Sequence, residues 1–300
     1  MIIVAYNQRE LALACLKHVT RLEYPADRLD IIVVDNNSGD GTPQAVRDRY
    51  PTAVVLEMGE NLGYAGGNNA GMEYALEQGA DWVLILNQDV VVAPDMLSPL
   101  LAAAKHEPRV GFLGPKVYHL EEPHRLQSAG IVLDSCLRSH QRGQGELDVG
   151  QFESIAECDA LAGCALFTSR PMIERIGMLD LRFFMYHEEM DWCLRARAAG
   201  LRNLYVPAAR VWHPKPQLRG AGNTAFTTYY MTRNHYLLLS KHGTGLLPVA
   251  QITKKNLIWL VNWTLNPKWR HVRQKRNALF KALVDAALRR YGRRRTQYGG

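Results

Sequence analysis

The sequence lacks the features that mark several protein classes. Its five cysteines are odd in number and include no C-x-x-C pair, which argues against a disulfide framework or a zinc knuckle and fits a reducing cytoplasm. No segment approaches the roughly 20 apolar residues that a membrane-spanning helix needs. The first apolar run begins at Met1 without a charged leader or a small-residue cleavage site, so we expect no signal peptide.

The composition is that of an ordinary globular protein. Hydrophobic residues make up 47% and charged residues 22% of the 300 residues, which argues against disorder. The length suits two domains, or one large domain with a C-terminal addition.

The net charge of +7 is distributed unevenly. Residues 268–300 contain eleven Lys or Arg and one acid, Asp285, for a net charge of +10, while residues 1–267 carry −3. We expect this basic end to meet an anionic lipid surface and not nucleic acid, because no nucleic-acid-binding fold is apparent.

Short β-branched runs alternate with helical periodicity in the first third of the chain, a pattern that predicts βαβ units and a parallel sheet. Strands are predicted at 2–6, 30–35, 53–58 and 82–87, and helices at 9–22, 42–50 and 64–78. Ligands of open parallel sheets lie beyond the carboxyl ends of the strands. The loops that follow these four strands are therefore expected at one edge.

The alternation loosens after Pro94. The sequence predicts a helix at 94–106, a strand at 110–117, a loop at 139–150 and a second organised block at 158–216. Basic amphipathic helices are predicted at 229–240, 252–265 and 269–290.

Two acids follow predicted strands at that edge. Asp35 precedes a polar turn, so it either contacts a ligand or bonds the amides of the turn. Asn87 and Asp89 are two residues apart and lie on the same side of an extended chain. Oxygen ligands of this kind suit Mg²⁺ or Mn²⁺ shared with a diphosphate.

A glycine-rich segment at 61–71 leads into a predicted helix. Free amides at a helix N-terminus can hold an anion, but small residues also allow a helix to pack closely on a sheet. The segment matches neither the P-loop nor the dinucleotide-binding pattern.

Three carboxylates cluster at Glu188, Glu189 and Asp191. They repel one another unless a cation, an arginine or raised pKa values compensate, and Arg195 lies one turn after Asp191. The alternative is a solvated acidic helix start. His213, at the end of a predicted strand, is by itself more simply a structural histidine.

Seven blocks in order resemble family 2 glycosyltransferases of the GT-A fold, most of all their rhamnosyltransferase-like bacterial branch. The resemblance covers residues 2–216, and Arg233-Asn234 adds to it. The blocks are Ala5-Tyr6-Asn7, Val34 to Thr42, Asn61-Leu62-Gly63, Asn87-Gln88-Asp89, Ala162-Gly163-Cys164, Glu188 to Asp191, and Trp212-His213.

The resemblance implies an α/β protein with a Rossmann-like, mostly parallel sheet flanked by helices. Residues 1–216 would form the nucleotide-sugar-binding and catalytic domain, and residues 217–300 a basic amphipathic helical extension. The implied activity is inverting transfer of a sugar from a nucleotide diphosphate donor. The resemblance to the rhamnosyltransferase-like branch suggests that this sugar is L-rhamnose. The acceptor would be a hydroxyl of a cell-surface polysaccharide or lipid-linked glycan.

The resemblance also implies roles for individual residues. Glu189 would be the base, with Asp191 as the alternate, and a divalent Mn²⁺ or Mg²⁺ would be held by Asp89 and His213. The donor would contact Tyr6, Asn7, Asp35, Asn68, Asn87 and Asp89, and the acceptor would contact Gly163, Cys164, Glu188 and Asp191. The chain departs from the family in having Asn87 where an Asp is common and Glu189 where an Asp is usual.

The C-terminal helices suggest a peripheral protein on the inner face of the plasma membrane. Trp259, Trp263 and Trp269 lie beside an apolar run and precede clustered cations, as in interfacial helices. Alternatively, residues 252–265 pack their apolar stripe on the body of the protein. Two rival functions are a nucleotidyltransferase and a tail-driven module that binds anionic lipid or nucleic acid.

Overall fold

The computed structural model describes residues 1–215 and 224–294, which fall into two compact units. The first unit comprises residues 1–132, 140–179 and 189–215. The second comprises residues 133–139, 180–188 and 224–294, so it includes two short segments from within the predicted catalytic domain. The predicted domain boundary between residues 216 and 217 lies outside the described residues.

Strands and helices alternate as the hydrophobic patterns predict. The strands are β1 Ile2–Ala5, β2 Ile32–Asp35, β3 Val54–Glu57, β4 Trp82–Asn87, β5 Val91–Val92, β6 Val110–His119, β7 Leu126–Ser128, β8 Ile131–Leu133, β9 Ser139–Gln141, β10 Ala156–Cys158, β11 Ala165–Ser169 and β12 Arg202–His213. The helices are α1 Arg9–Val19, α2 Thr42–Arg49, α3 Gly63–Glu77, α4 Leu97–His106, α5 Arg170–Ile176, α6 Glu188–Ala198, α7 Ala225–Lys241, α8 Leu246–Leu265 and α9 Arg273–Ala287, with 3-10 turns at Ala26–Arg28 and Pro267–Val272.

The first half of the main sheet is parallel, in the order β3, β2, β1, β4. The register pairs Ala5 with Asp35, Asp35 with Glu57, and Val4 with Asn87. The carboxyl ends of these four strands therefore lie at one edge, as the alternation of strands and helices predicts.

The second half of the sheet is mixed. Strand β11 runs antiparallel between β4 and β6, and the long strand β12 runs parallel to β6. Short strand β5 pairs antiparallel with the end of β12. A parallel α/β half thus continues into a region where antiparallel strands bring distant parts of the chain together.

Helix α3 packs very closely on the sheet. A Cβ at Gly71 would lie 2.4 Å from Ile2 Cγ2, and one at Gly67 would lie 2.7 Å from Val4 Cγ1. No real side chain fits at such distances, so these two glycines serve helix–sheet packing, the simpler of the two interpretations of the glycine-rich segment.

Most predicted elements agree with the structure to within a few residues, but two expectations were wrong. The expected helix 269–290 is interrupted, because Trp269 is non-helical (φ −97°, ψ 15°) within the 3-10 turn and α9 begins only at Arg273. Pro267 starts that turn, and Asn266 caps it by accepting from the backbone N–H of Lys268. The expected loop 139–150 begins with strand β9.

The second unit contains the three helices α7, α8 and α9. Within residues 1–215 and 224–294, no helix is both long enough and apolar enough to cross a bilayer. On α7, the amide nitrogen of the fully buried Asn234 donates to the carbonyls of Phe183, Met185 and Tyr186 at 2.9, 2.8 and 2.8 Å. Helix α7 thereby holds the segment that precedes α6.

That segment has an uncommon backbone. Phe184, Tyr186 and His187 have φ of 66°, 71° and 72°, a region that side-chain-bearing residues rarely adopt. Arg233 is also buried and donates to the carbonyls of Arg182 and Phe183 and to Asn234 Oδ1. A buried Arg–Asn pair therefore stabilises a strained loop.

Candidate active site

The predicted nucleoside residues meet at the carboxyl edge of the parallel strands. The loop after β1 and the loop after β2 are joined by two hydrogen bonds: Asn7 N donates to Ser38 Oγ (2.8 Å), and Gly39 N donates to Asn7 Oδ1 (3.0 Å). Tyr6 exchanges backbone hydrogen bonds with the side chain of Gln88 (3.3 and 3.4 Å). Tyr6, Asn7 and the loop after β4 are therefore neighbours.

Asp35 lies at the end of β2 and is 2% exposed. Its Oδ2 accepts from Ser38 N at 2.9 Å, which is the turn-bonding role that the sequence left open. Its Oδ1 is buried and has no hydrogen-bond partner among the described residues. A buried acceptor without a donor is costly, and a ligand hydroxyl or amide would satisfy it.

Asn68 is buried within α3. Its Nδ2 donates to Tyr64 O one turn earlier (2.9 Å), and its Oδ1 has no partner in the part of the chain that the structure describes. The neighbouring loop is held by Asn36, whose Nδ2 donates to Gly63 O (2.9 Å). Asn68 thus belongs to the same glycine-rich start of α3.

Strand pairing brings the predicted metal ligands together. Because β5 pairs antiparallel with β12, with Val91 opposite Trp212, the residues just before Val91 lie beside the residue just after Trp212. His213 Nε2 is 3.5 Å from Asp89 Oδ1 and 3.3 Å from Asn87 Nδ2. Asn87 and Asp89 thus lie beside His213, which is at least 124 positions later in the chain.

Gln127 determines the tautomer of His213. Its Oε1 lies 2.7 Å from His213 Nδ1, and its Nε2 lies 3.4 Å from the ring of His119. An amide oxygen accepts, so Nδ1 of His213 carries the proton and Nε2 carries a lone pair directed toward Asn87 and Asp89. Burial lowers the pKa of His213 to about 4, so the ring is neutral near pH 7.

This pair fits a divalent cation that a diphosphate would share. Among residues 1–215 and 224–294, no group of three or more His, Cys, Asp and Glu side chains is placed to hold a metal ion. The pair nevertheless combines a buried carboxylate with a neutral imidazole whose other nitrogen is bonded to an amide, the usual support for a histidine ligand. Mg²⁺ commonly takes only one or two protein ligands together with substrate phosphates.

The turn at 162–164 connects this pair to the acidic helix. Asn87 N donates to Cys164 O at 3.0 Å. A Cβ at Gly163 would lie 3.0 Å from Glu189 Cγ and 3.2 Å from Glu189 Cβ, so the Glu189 side chain packs directly on Gly163. The hydroxyl of Tyr64 donates to Gly163 O. Glu189 is therefore linked through this turn to the loop that carries Asp89.

The Cys164 side chain faces the core and not the edge of the sheet. It is 6% exposed and lies in the main hydrophobic cluster. Burial raises the pKa of its thiol to about 12, so the thiol stays neutral. Because the Cys164 side chain is buried in the core, only the backbone of this residue can make polar contacts at the turn.

The acids of α6 differ in their surroundings. Asp191 is fully buried, and its Oδ2 accepts from Arg195 Nε at 3.0 Å, the partner that their spacing suggests. Arg195 also donates to Met178 O at 2.6 Å and to Ile176 O. Glu189 is half-buried. Glu188, the first residue of α6, belongs to the second unit.

No local motif singles out Gln127 or the hydroxyl of Tyr64. Gln127 reaches His213 only because β7 pairs with β6, which lies beside β12. Tyr64 reaches Gly163 across 99 residues. Neither contact leaves a local signal, because both depend on long-range pairing.

The sequence is similar to those of known glycosyltransferases. Residues 1–167 match the model for glycosyl transferase family 2. The chain is 31% identical over 241 residues to N-acetylglucosaminyl-diphospho-decaprenol L-rhamnosyltransferase of Mycobacterium tuberculosis (72% of this chain, 76% of that protein). It is 30% identical over 266 residues to galactofuranosyltransferase GlfT1 of Mycolicibacterium smegmatis (82% and 85%).

Solved structures share the fold. GalNAc-T7 with UDP, GalNAc and Mn²⁺ matches with a TM-score of 0.64 and 16% identity over 80% of this chain, which spans 47% of that protein. A mannosyltransferase from Pyrobaculum calidifontis with GDP-Man and Mn²⁺ matches with a TM-score of 0.57 and 17% identity (96% and 86%). The expected GT-A architecture with a C-terminal helical region is thereby confirmed.

Proposed function

The chain belongs to glycosyl transferase family 2, and from that premise we propose that it transfers L-rhamnose from a nucleotide diphosphate donor to a lipid-linked glycan. It is a glycosyltransferase, and the name of the mycobacterial rhamnosyltransferase specifies a lipid-linked acceptor, N-acetylglucosaminyl-diphospho-decaprenol. The choice of sugar is supported by the mycobacterial rhamnosyltransferase and by the Shigella flexneri dTDP-rhamnosyl transferase RfbF, which is 23% identical over 255 residues.

One observation carries the proposed mechanism. The 162–164 turn joins Glu189, through Gly163, to the loop with the Asp89–His213 pair, through the hydrogen bond from Asn87 N to Cys164 O. A single displacement needs a base on the acceptor side and charge neutralisation at the leaving diphosphate. The link through this turn supports the proposal that Glu189 and the Asp89–His213 pair act in one site.

The donor would be held by the edge of the parallel sheet. In this proposal Tyr6, Asn7, Asp35 and Asn68 contact the nucleoside. The buried Oδ1 of Asp35 and of Asn68, which have no partner among the described residues, support this role because each can accept a hydrogen bond from the ligand. Asn87 completes the donor site beside the diphosphate.

Asp89 and His213 would hold a divalent cation, Mn²⁺ or Mg²⁺. Such an ion, when bound, neutralises the charge that develops on the leaving diphosphate. Asp89 supplies a carboxylate oxygen, and His213 supplies the Nε2 lone pair that Gln127 directs toward it. The Mn²⁺ in the structural neighbours is in line with this assignment.

Glu189 is the proposed base, which takes the proton of the attacking acceptor hydroxyl. It is the half-exposed carboxylate of α6, whereas Asp191 is buried against Arg195. We therefore give Asp191 a positioning role that keeps α6 in place, and we keep it as the alternate base. Within the first unit, Gly163 and the backbone of Cys164 remain the proposed acceptor contacts.

A lipid-linked acceptor requires the enzyme to work at a membrane. We propose a peripheral association with the inner face of the plasma membrane through the basic C-terminal helices, and no role in nucleic-acid binding. The charge distribution supports this proposal, because residues 268–300 carry +10 and the remainder −3.

Calorimetry with turnover tests the proposal. We expect one of TDP, UDP and GDP to bind the wild type, and only with Mn²⁺ present. This nucleotide is TDP if the donor sugar is rhamnose. Asp89→Ala should weaken this binding about tenfold or more. Asp95→Ala is the control, because Asp95 is an exposed carboxylate paired with Arg210. Metal-independent binding, or release of pyrophosphate in place of nucleoside diphosphate, would contradict the assignment.

A further inference from the structure

Helix α8 contacts the rest of the second unit with one side only. Ile252 is its one buried residue among those described, and Asn256 donates to the Tyr236 hydroxyl at 3.2 Å. On the same side, Trp259 packs against Trp263 (ring centroids 5.6 Å apart) and against Trp269 of the following turn (6.2 Å). This inner side fixes α8 to its neighbours.

The opposite side of α8 is apolar and exposed. Leu257, Val261 and Leu265 follow one another at four-residue spacing and are 48, 55 and 75% exposed. The same outer side carries further large apolar residues, namely Leu246, Leu247 and Ile258. A soluble helix normally presents its polar side to water, so this face is the reverse of the usual arrangement.

The tryptophans lie apart from the aliphatic outer face. Trp259, Trp263 and Trp269 form a cluster with one another at the turn between α8 and α9, and Trp259 is still 38% exposed. Residues two positions apart on a helix point about 200° apart, so Trp259 and Val261 cannot share a face. The outer face is therefore formed by aliphatic side chains of the apolar run that lies beside the tryptophans in sequence.

Helix α8 and the elements that follow it are rich in positive charge. Residues 242–284 contain eight Lys or Arg and no Asp or Glu. Lys254 lies one turn before Leu257 and Ile258 and is exposed, as is Lys255. A long lysine side chain can lie along an apolar surface and extend its ammonium group to a phosphate. An apolar stripe on a helix that carries cations and no acid is complementary to an anionic lipid bilayer.

We propose that the outer face of α8 inserts among the acyl chains of an anionic bilayer, with Lys254 and Lys255 at the headgroup phosphates. This inference rests on the proposed function for the membrane location and adds the surface that makes the contact. A second copy of the chain is a poorer occupant, because a symmetric dimer would place the cations of each copy against a surface without carboxylates.

Vesicle co-sedimentation of the full chain tests the proposal. We expect binding to vesicles of phosphatidylcholine with phosphatidylglycerol, weaker binding without phosphatidylglycerol, and weaker binding at high salt. The double variant Leu257→Gln/Val261→Gln should bind roughly tenfold or more weakly, since two apolar side chains no longer enter the bilayer. Lys254→Gln/Lys255→Gln should lose most of the preference for the anionic vesicles.

Val149→Gln is the matched control, because Val149 is 82% exposed but lies in the first unit. All variants replace exposed side chains, so their unfolding curves should match that of the wild type. Wild-type vesicle binding by the Leu257→Gln/Val261→Gln variant would overturn the proposal. The proposal would also be overturned if neither protein bound vesicles and the wild type were a dimer that this double variant converts to a monomer.

A site-specific probe locates the contact. All five native cysteines are buried, so Val261→Cys introduces an exposed thiol that can carry an environment-sensitive fluorophore. We expect a blue shift with anionic vesicles at position 261 and none for a label at Val149→Cys. Metal-dependent nucleotide binding measured on the same samples separates the two proposals: its loss alone contradicts the function, and a missing blue shift alone contradicts the membrane face.

Discussion

Single residues in the candidate site owe their chemistry to their neighbours. His213 is an ordinary histidine in sequence, but burial and the Gln127 oxygen make it a neutral ring whose Nε2 lone pair faces Asn87 and Asp89. Glu189 and Asp191 are two residues apart in one helix, yet one is half-exposed and the other is buried against an arginine. Environment therefore separates residues of the same type into different roles.

Glu189→Gln should remove the proposed base while leaving the nucleotide site intact. We expect kcat to fall by about 100- to 10,000-fold, because an amide cannot take the acceptor's proton, with calorimetric nucleoside diphosphate binding unchanged. Glu73→Gln, at an exposed position on α3, is the control. A Glu189→Gln enzyme that keeps its kcat would move the base to Asp191.

Gly163→Ala should displace Glu189. The new Cβ would lie 3.0 Å from Glu189 Cγ, closer than a side chain tolerates without shifting. We expect kcat to fall by roughly tenfold or more, because small displacements of a reacting group are costly, with a modest loss of stability. Steady-state kinetics and a thermal melt measure the two effects.

Gly114→Ala provides the comparison for crowding. Its Cβ would lie 3.1 to 3.3 Å from atoms of Leu161, so it crowds the same unit without touching Glu189. We expect a similar loss of stability and near-normal kcat. Equal losses of kcat in both variants would show that general destabilisation, and not the position of Glu189, explains the effect.

At the scale of elements, pairings between distant segments position residues that local sequence patterns cannot place. The two-residue strand β5 lies in a short apolar run, Val90 to Ala93, that does not show which strand it pairs with, yet its pairing with β12 places His213 beside Asp89. The segment before α6 has no regular structure of its own and is held by side chains of α7. Short, irregular elements thus depend on their partners for their conformation.

Asn234→Leu should destabilise the second unit strongly. The change keeps the number and branching of the side-chain heavy atoms but removes the donor to three carbonyls, those of Phe183, Met185 and Tyr186. Buried unsatisfied carbonyls cost about 1 to 3 kcal/mol each, so we expect a loss of about 3 kcal/mol or more in the free energy of unfolding. Urea denaturation measures it, with Asn262→Ala on the exposed side of α8 as control.

That control should change the free energy of unfolding by no more than about 0.5 kcal/mol. An Asn234→Leu protein as stable as the control would mean that the strained segment holds its conformation without α7.

At the scale of the whole molecule, both units contain histidines that fold in the neutral form. Burial lowers the pKa of His213 to about 4 in the first unit and that of His187 to about 3 in the second. The ordinary histidine value is about 6.5, so the unfolded chain binds protons that the folded chain excludes. Stability is therefore fully present above about pH 6.5 and is lost as the pH falls toward these folded-state values.

A pH series of thermal melts checks this. We expect the melting temperature to fall between about pH 7 and about pH 5, and His187→Gln to make that fall shallower because it removes one excluded proton. His106→Gln, at an exposed position on α4, should leave the slope unchanged. A flat wild-type profile over this range would show that these rings are protonated in the folded protein.

The sequence by itself determined the alternating first half of the fold and the edge where its loops meet. Apolar runs of period two and stripes of period 3.6 reflect local burial, so β4 at Trp82–Asn87 and the start of α1 at Arg9 are where the pattern places them. The ordered motifs also indicated the family, because each lies within a few consecutive residues.

Only the tertiary structure decided how the distant parts of the site fit together and which way the C-terminal helices face. The contact of Gly163 with Glu189, the hydrogen bond from His213 to Gln127 and the direction of the aliphatic face of α8 all depend on pairings between separated segments. Hydrophobic periodicity shows that a helix has an apolar side, but what that side packs against is set by the rest of the chain. The turn that Pro267 starts is local, but the contact that it allows between Trp269 and Trp259 appears only in the folded chain.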